Sequence, residues 1–306
     1  MGGVDVAPDK AGRSMAEVTG NAGISGKVHA SIDALLTEVQ PDIILHTASS
    51  SAAASLAQVR PALERGISVA STCEELIFPQ LKTFDIAIEY DALCKKTGAR
   101  VVATGVNPGF VMDLLPIVLT GVSRQVDSIY VARVVDAITR RKPLQAKIGS
   151  GRPPEEFRAA FKAGKAGHAG FQQSLALLAH AMGWKLDSIH ETCEPVVADA
   201  TLKTKYFEVH AGQTRGLHQR AIGIVRGEAK LILDLTMALG EANPHDTIVV
   251  HGRPNLHLTL NGGVAGDDAT VAALINIVPR VLAAAPGIRL VTDLAAPAWS
   301  NPTPST

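Results

Sequence analysis

The chain has 306 residues, of which 46% are hydrophobic, and its 29 lysines and arginines balance 29 aspartates and glutamates. A chain of this length and composition can bury one large core or two moderate ones. Because the net charge is zero, no basic field is available to hold nucleic acid or an anionic membrane, which favours a metabolic protein acting on a small molecule.

The spacing of the cysteines and the length of the apolar segments indicate in which cellular compartment the protein is expected. Cys73, Cys94 and Cys193 lie far apart without a CxxC pair, which argues against a zinc site or a disulfide framework and fits a reducing environment. No apolar run reaches the roughly 18 residues of a membrane span. The N-terminus lacks a basic segment followed by an apolar core. We therefore expect a cytoplasmic protein.

The first visible strand is short, apolar and ends at Asp5. In a dinucleotide-binding fold this pattern belongs to the second strand, whose terminal acid hydrogen-bonds the adenosine ribose. The glycine-rich turn of such a fold lies about 20 residues before that acid, and no such turn precedes Asp5. We expect either a start codon assigned too late or a lost pyrophosphate cradle, and weak or no cofactor binding by the chain as written.

Asp5 also bears on the choice of cofactor. An acid at this point favours NAD, because its charge repels the additional phosphate of NADP. Lys10 and Arg13 lie nearby in sequence and could accommodate that phosphate, so both cofactors stay open. A solvated turn acid without a ligand is the structural alternative.

From residue 1 to about 125 the pattern predicts alternating strands and helices, as in βαβ units. The predicted strands span 42–48, 67–72 and 100–105, and the helices span 52–65 and 74–96, with Pro79 interrupting the second helix. The strands are apolar on both faces, as parallel strands covered by helices are. The sequence therefore predicts a Rossmann-type parallel sheet that lacks its first βα unit.

Small polar residues follow each predicted strand, where open α/β sheets bind their ligands. They are Thr47 and Ala48, then Ser71 and Thr72, then Thr104, Gly105 and Asn107. Ser71 or Thr72 is also expected to cap the helix that begins near Glu74. Cys73 is interpreted as a buried thiol.

The segment 104–113, TGVNPGFVMD, is the sharpest local feature. Gly105 and Gly109 permit close approach of the backbone, and Pro108 fixes a turn. This density of turn residues favours ligand contact, although a plain strand-to-helix turn has nearly the same pattern.

After residue 125 the pattern predicts antiparallel strands with longer connections. The strands are expected over 128–136, 230–235, 246–250 and 257–260, and an amphipathic helix over 169–182. We predict an α+β domain over 126–264 that binds substrate and mediates oligomerisation. A helix over 267–285, within the segment 265–296, returns to the first domain (1–125), and the proline-rich tail 297–306 is expected to be disordered.

Basic residues and one histidine in this second domain could carry chemistry. Asp136 ends a strand, and Arg140, Arg141 and Lys147 follow in a loop that could bind a carboxylate or remain a solvated basic loop. His168 could transfer a proton or merely cap the amphipathic helix. No i,i+4 pairing or accompanying carboxylate marks His210, His218, His251 and His257. No metal site is therefore predicted.

Five segments together resemble a known family. They are STCEEL (71–76), TGVNPGFVMD (104–113), RVVDAITRRKPLQAKIGSG (133–151), GHAGFQQS (167–174) and GDDATVAALINIVPR (266–280). In this order they are similar to the 2,4-diaminopentanoate dehydrogenase group, a branch of the dihydrodipicolinate-reductase-like NAD(P)-dependent oxidoreductases. The resemblance runs from Gly3 to about Leu294.

The resemblance implies a Rossmann domain joined to a reductase-type α+β domain, in a homo-oligomer. It implies oxidative deamination of a small amino or diamino acid, with hydride passing to NAD or NADP and release of ammonia. The implied cofactor residues are Asp5 at the ribose, Thr47 and Ala48 along the dinucleotide, and Ser71, Thr72, Thr104, Gly105 and Asn107 around the nicotinamide. The implied substrate residues are Arg140 or Arg141 for a carboxylate, His168 or Lys147 for the proton, and Asp136.

One departure bears on the reaction. Reductases of the lysine pathway carry a paired-histidine motif followed by a lysine in the loop after this strand, whereas this chain has Ala137-Ile138-Thr139-Arg140-Arg141. The substitution argues against dihydrodipicolinate reduction, which is kept as an alternative. A second alternative is a non-catalytic ligand-binding or assembly protein.

Overall fold

The computed structural model describes residues 1–300, which form two compact units. Unit 1 contains residues 1–104 and 271–300, and unit 2 contains residues 105–270. The sequence predicted a change of character near residue 125, whereas the boundary in the structure follows Thr104. The reason is that Val106, Val111 and Met112 are buried in the hydrophobic core of unit 2.

Unit 1 begins with a small parallel sheet of two strands. Its elements are β1 (Gly3–Val4), α1 (Met15–Thr19), β2 (Val28–His29) and α2 (Ile32–Glu38), with β1 paired to β2. A capping box starts α1, because the Ser14 hydroxyl accepts from the Glu17 N–H and the Glu17 carboxylate accepts from the Ser14 N–H.

The main sheet of unit 1 is parallel throughout, which confirms the predicted Rossmann-type sheet. Its first elements are β3 (Ile43–His46), α3 (Ala52–Leu63), β4 (Ser68–Ser71), α4 (Phe84–Thr97) and β5 (Arg100–Ala103). The helix predicted over 74–96 is broken into the 3₁₀ turns Glu74–Ile77 and Pro79–Leu81 followed by α4. Pro79 begins the second turn, where its missing N–H costs nothing.

Unit 2 is built on one long sheet with helices. Its helices are α5 (Leu114–Leu119), α6 (Lys142–Lys147), α7 (Pro154–Lys162) and α8 (Phe171–Ala181). Its strands are β6 (Gln125–Asp136), β7 (Ser188–Val197), β8 (Leu202–Lys203), β9 (Glu208–Val209), β10 (Thr214–Val225), β11 (Glu228–Ala238), β12 (His245–Arg253) and β13 (Leu256–Asn261).

The six-stranded sheet has the order β13-β12-β6-β11-β10-β7. Four of its five pairings are antiparallel, as predicted, but β6 and β11 are parallel. The sheet is therefore mixed, because the connection between these two strands contains α6 to α8 and β7 to β10, and a long connection permits parallel pairing. β7 and β10 were not predicted, because their polar residues obscure the period of two.

The core of unit 2 lies between α8 and the sheet. Leu175 and Leu178 of α8 are fully buried, and the helix packs against β10 and β11. A side chain at Gly223 of β10 would lie 2.6 Å from the Leu175 Cδ2 atom, so the absence of one lets the helix approach the strand.

The chain returns to unit 1 through α9 (Gly266–Asn276), α10 (Val278–Ala283) and β14 (Gly287–Arg289). The single helix predicted over 267–285 is thus two helices, because Pro279 lies at the start of α10 and cannot continue the hydrogen bonds of α9. In unit 1, β14 pairs with β5 and completes the sheet order β14-β5-β4-β3.

The C-terminal segment was predicted to be a disordered tail over 297–306. Residues 297–300 have no regular secondary structure, and residues 301–306 lie outside the described part of the chain. Between residues 1 and 300, no helix combines the length and the apolar character that crossing a membrane requires.

Candidate active site

His46 and Ser71 occupy the carboxyl ends of β3 and β4, where they are register partners. The His46 Nδ1 atom lies 2.9 Å from the Ser71 Oγ atom, and Nε2 lies 2.9 Å from the Gln58 Oε1 atom. Because the amide oxygen only accepts, Nε2 carries the proton and Nδ1 accepts from the Ser71 hydroxyl. The Ser71 oxygen accepts from the Cys73 N–H at 3.1 Å. Ser71 is fully buried, so its hydroxyl holds the turn after β4.

The capping role predicted after β4 is wrong. No side chain caps the 3₁₀ turn Glu74–Ile77, since Ser71 serves Cys73 instead. The Glu75 carboxylate accepts from the Ala52 N–H at 2.9 Å and so satisfies the first residue of α3. Cys73 is fully buried, as predicted.

The other predicted residues of unit 1 follow the ends of neighbouring strands. Thr47 and Ala48 are exposed after β3. The Thr72 N–H donates to the His46 carbonyl oxygen, and the Thr104 N–H donates to the Ser71 carbonyl oxygen at 2.8 Å. The Thr104 hydroxyl is buried without a hydrogen-bond partner. It is therefore an unused polar group at the end of β5.

Asp5 follows β1 and forms an ion pair with Lys10, the lysine considered above for the phosphate of NADP. Its Oδ2 atom lies 2.6 Å from the Lys10 Nζ atom, and Oδ1 accepts from the Ala7 N–H at 2.9 Å. The hydrogen bond from Lys10 is the main cause that lowers the pKa of Asp5. Asp5, which favours NAD, and Lys10, which could accommodate the phosphate of NADP, thus neutralise each other.

The segment 104–113 continues into unit 2 with a tight turn around Asn107. The Asn107–Pro108 peptide bond is cis, and a side chain on Gly105 would lie 2.9 Å from the Pro108 carbonyl oxygen. Gly109 has a φ of 118° and donates its N–H to the Asp113 Oδ2 atom at 2.8 Å. The turn itself therefore requires both glycines.

Asp113, to which the sequence analysis assigned no role, anchors this turn to α8. Its fully buried carboxylate accepts from the N–H groups of Gly109 and Leu114 and from the Ser174 hydroxyl at 2.6 Å. Burial raises the pKa of Asp113, and the three donors oppose that rise. An acid inside the apolar run GFVMDLLPI was the signal available in the sequence.

His168 points one ring nitrogen at the same turn. Its Nε2 atom lies 3.0 Å from the Asn107 carbonyl oxygen, so Nε2 donates and Nδ1 keeps a free lone pair. The His168 ring meets the Phe171 ring edge-on, with centroids 5.8 Å apart. Two segments that the sequence analysis singled out separately are thus in contact.

Gln219 of β10 fixes the main chain of His168. Its Oε1 atom accepts from the His168 N–H at 2.7 Å, and its Nε2 atom donates to the His168 carbonyl oxygen at 2.9 Å. The Gln219 amide also donates to Glu191 at 2.6 Å. Gln219 is buried, and the sequence analysis missed it because its partner lies 51 residues earlier in the chain.

Burial lowers the pKa of His168 to about 4, and the positive charges of Lys147, Arg133 and Arg140 add to this effect. The hydrogen bond to Asn107 opposes it. The imidazole is therefore neutral at physiological pH, with Nδ1 ready to accept a proton. Three of the predicted substrate residues, His168, Lys147 and Arg140, interact electrostatically in this part of unit 2.

The two predicted arginines share one acid. The Nη2 atoms of Arg140 and Arg141 lie 3.0 and 3.2 Å from the Asp267 Oδ1 atom. The Arg141 side chain is 76% exposed, whereas that of Arg140 is 17% exposed. Buried Gln145 holds the loop by donating to the carbonyl oxygens of Ile138 and Arg140. Arg140 is therefore the better placed of the two to bind a ligand.

Lys147 and Asp136 differ in the contacts that they form with the rest of the protein. Lys147 ends α6 and is exposed, and no residue between 1 and 300 forms an ion pair with it. The Asp136 Oδ1 atom accepts from the N–H groups of Ile138 and Gly240 and so closes two turns. None of the described residues forms a cluster of three side chains suited to a metal ion.

The comparisons with known proteins agree with this fold. The family model for the 2,4-diaminopentanoate dehydrogenase C-terminal domain matches residues 110–302. A 2,4-diaminopentanoate dehydrogenase from Acetoanaerobium sticklandii is 32% identical over 269 residues, which cover 86% of this chain and 76% of that protein. An amine dehydrogenase from Streptomyces virginiae is 24% identical over 219 residues, covering 64% of this chain and 61% of that protein.

A solved structure extends the likeness over both units. The amine dehydrogenase from Mycobacterium smegmatis matches 98% of this chain and 90% of its own with a TM-score of 0.86, at 22% identity. That likeness shows the fold. The family model and the relative from Acetoanaerobium sticklandii show more, namely that this chain belongs to the 2,4-diaminopentanoate dehydrogenase family.

Proposed function

We propose that the protein is an NAD(P)-dependent dehydrogenase that oxidatively deaminates a small amino or diamino acid at an amine-bearing carbon. The observation that carries this proposal is the state of His168: a neutral imidazole, oriented by Asn107, with a free Nδ1 atom among cations that suit a carboxylate. The names of the two sequence relatives supply the class of substrate.

The ends of the strands in unit 1 fit a nicotinamide dinucleotide. The Thr104 hydroxyl lacks a partner, Thr47 and Ala48 are exposed, and Asp5 follows β1 as a ribose-binding acid does. We infer that these residues and the Thr72 main chain hold the cofactor, while Ser71 positions the turn. When bound, NAD(P)⁺ accepts a hydride from the amine-bearing carbon.

In unit 2 we assign proton transfer to His168. An alkyl ammonium group must lose a proton before its carbon can release a hydride, and the free Nδ1 atom is an acceptor for it. A pKa of about 4 is low for a base at neutral pH. A substrate carboxylate beside Lys147 and Arg140 offsets the charges that contribute to this low value. Substrate binding therefore makes His168 a stronger base.

The direct test compares His168→Asn with the unmodified protein in a coupled measurement of reduced nicotinamide and released ammonia. With 2,4-diaminopentanoate as substrate, the loss of a general base lowers kcat by about 10²- to 10⁴-fold. His210→Asn is the control. It removes an exposed histidine in the turn after β9 and is expected to leave kcat unchanged. Equal kcat values for the protein and His168→Asn would rule out this role.

We also infer a homo-oligomer that forms through the six-stranded sheet. On the face opposite α8, Tyr130, Ile222 and Ile232 stay half-buried, and Asp234 lies 2.8 Å from His218. A second copy of the chain suits this face, because the Arg220–Asp234 ion pair, with Nε 3.7 Å from Oδ2, and the branched apolar side chains beside it complement themselves across a twofold axis. Ile232→Glu is expected to shift the sedimentation coefficient to that of a monomer, and an unchanged coefficient would refute the inference.

The cysteines support a location in the cytoplasm. Cys73, Cys94 and Cys193 are all free and buried, as in proteins of reducing compartments. Burial raises the pKa of Cys94 and Cys193 to about 12, so neither forms a reactive thiolate at neutral pH.

A further inference from the structure

The β8–β9 hairpin, residues 202–209, is a short element that packs firmly on the core of unit 2. Val209 is fully buried in that core, and Leu202 and Phe207 pack against it. The two strands pair antiparallel, with Leu202 opposite Val209. An isolated hairpin is only marginally stable, so its rigidity comes from this packing. The hairpin can therefore support a neighbouring segment.

Thr204 connects this hairpin to α6 through its hydroxyl group. The oxygen accepts from the N–H groups of Tyr206 and Phe207 at 3.0 and 2.9 Å. These two donors occupy the lone pairs of the oxygen, so the hydroxyl has its own proton left to donate. The Gln145 Oε1 atom accepts that proton at 2.8 Å, whereas the Phe207 carbonyl oxygen lies 3.4 Å away. The turn of the hairpin thus directs the proton at Gln145.

Gln145 of α6 extends this contact to the loop after β6. Its Nε2 atom donates to the carbonyl oxygens of Ile138 and Arg140 at 3.0 and 2.8 Å. With Oε1 on Thr204, both hydrogens and the oxygen of the amide have partners, as a fully buried amide requires. Thr204 and Gln145 are 59 residues apart in the chain, so the fold alone brings them together.

The segment that Gln145 holds carries two of the cations assigned to the substrate. We call residues 137–147 the substrate loop, which includes Arg140 before α6 and Lys147 at the end of α6. Asp267 holds the Arg140 side chain at 3.0 Å, and Gln145 holds its main chain. Because the Arg140 side chain is largely enclosed, its guanidinium group follows a shift of the main chain. The position of Arg140 therefore depends on the hairpin.

The candidate base has separate supports. His168 is held by Asn107 and Gln219, which belong to other elements. None of the side-chain hydrogen bonds found between residues 1 and 300 joins Asn107 or Gln219 to the hairpin. A change in the hairpin is therefore expected to displace the cations and to leave the imidazole in place.

We propose that the β8–β9 hairpin positions the substrate loop, and that the hydrogen bond from Thr204 to Gln145 sets the affinity for substrate without affecting turnover. The proposal rests on the proposed function, because it takes Arg140 and Lys147 as the cations that bind the substrate. It makes Thr204 and Gln145 positioning residues that act through Arg140. It also places a determinant of affinity on an element that touches none of the predicted site residues directly by a side-chain hydrogen bond.

Hydrogen–deuterium exchange of the full chain, measured by mass spectrometry, tests the contact without any ligand. Thr204→Val keeps the shape of the side chain and removes the hydroxyl. Amides of the substrate loop, such as those of Arg140 and Gln145, are expected to exchange about three- to tenfold faster. Those of α7 are expected to keep their rates, and Thr204→Ser to match the unmodified protein. Unchanged exchange in the substrate loop, or equal acceleration throughout unit 2, would overturn the proposal.

Steady-state kinetics with 2,4-diaminopentanoate at saturating cofactor test the consequence for affinity. Thr204→Val is expected to raise KM about three- to tenfold and to change kcat by less than about twofold. Thr204→Ser is expected to restore KM. Thr201→Val, the same substitution at an exposed threonine just before the hairpin, is the matched control. A KM that is unchanged in Thr204→Val, or raised equally in Thr201→Val, would contradict the positioning role.

The two measurements separate this proposal from the proposed function. If the unmodified protein does not turn over 2,4-diaminopentanoate, the proposed function fails, and the exchange rates still decide whether the hairpin holds the substrate loop. If the protein turns over this substrate while Thr204→Val changes neither exchange nor KM, the dehydrogenase stands and the role of the hairpin is refuted.

Discussion

His168 donates its Nε2–H to the main-chain oxygen of Asn107 at 3.0 Å, and this single bond determines which ring nitrogen is free. A main-chain oxygen cannot donate, so the tautomer does not depend on the orientation of any other side chain. Asn107 in turn belongs to the tight turn that buried Asp113 anchors to α8. The orientation of the candidate base thus rests on main-chain geometry.

The low pKa of His168 predicts a pH-dependent stability. An unfolded histidine binds its proton near pH 6.5, whereas folded His168 does so near pH 4. Between these values the unfolded state holds more protons, so stability is lost as the pH falls from about 6.5 to about 4. His168→Asn is expected to reduce this loss by about 2–3 kcal/mol, measured by urea unfolding at several pH values. Parallel curves for His168→Asn and the unmodified protein would contradict it.

Gln219→Leu tests the clamp on the His168 main chain. The leucine leaves the His168 N–H and carbonyl oxygen without their partners, which is expected to destabilise the fold by about 2–3 kcal/mol in urea unfolding. As a positioning residue, Gln219 is expected to affect kcat more than KM. Gln125→Leu, on an exposed glutamine, serves as the control. A change confined to KM would argue against positioning.

Two buried serines of unit 2 form a matched pair. The Ser174 hydroxyl donates to Asp113 at 2.6 Å, whereas the Ser150 hydroxyl has no partner. Ser174→Ala is therefore expected to lower the free energy of unfolding by about 1 kcal/mol or more, and Ser150→Ala to leave it unchanged or to raise it. Thermal or urea unfolding of both variants provides the measurement. Equal losses would show that the bond to Asp113 adds nothing.

Arg140 and Arg141 are expected to differ in their effect on substrate affinity. Both contact Asp267, but Arg140 is 17% exposed and lines a cavity at the end of β6, whereas Arg141 is 76% exposed. Arg140→Ala is expected to raise KM for 2,4-diaminopentanoate by about tenfold or more, because a charge-assisted hydrogen bond is lost. Arg141→Ala is expected to change KM by less than about twofold. The reverse order of effects would transfer the carboxylate to Arg141.

The sequence predicted those elements whose pattern is local. The strands β3, β4 and β5 are short apolar runs bounded by turn residues, so their type and parallel pairing followed from the pattern. The parallel pairing of β6 with β11 could not be predicted in this way. It depends on where the chain arrives after a connection of about 90 residues. Likewise, β10 contains polar residues that break the apolar pattern of a strand. One of them, Gln219, is buried and bonds the main chain of His168 instead of facing solvent.

For the candidate site, the sequence predicted residues more readily than roles. His168, Lys147 and Arg140 were selected from their loops, and the structure brings their charges together. Ser71 was expected to face a ligand, and its hydroxyl contacts His46 at the end of the neighbouring strand and the Cys73 N–H two residues later. Arg133 resembled an ordinary strand residue, since only the fold shows that its guanidinium group is buried beside Asp246, with Nη1 3.6 Å from Oδ1.

The central position of β6 has an evolutionary consequence. This strand is paired on both sides over residues 129–134, while its last residues and the loops beyond them line a cavity. A rigid support of this kind tolerates exchange of the loops that it carries. Exposed positions of these loops, such as Thr139 and Asp268, can therefore change without loss of the framework, whereas Ala137 belongs to the buried core.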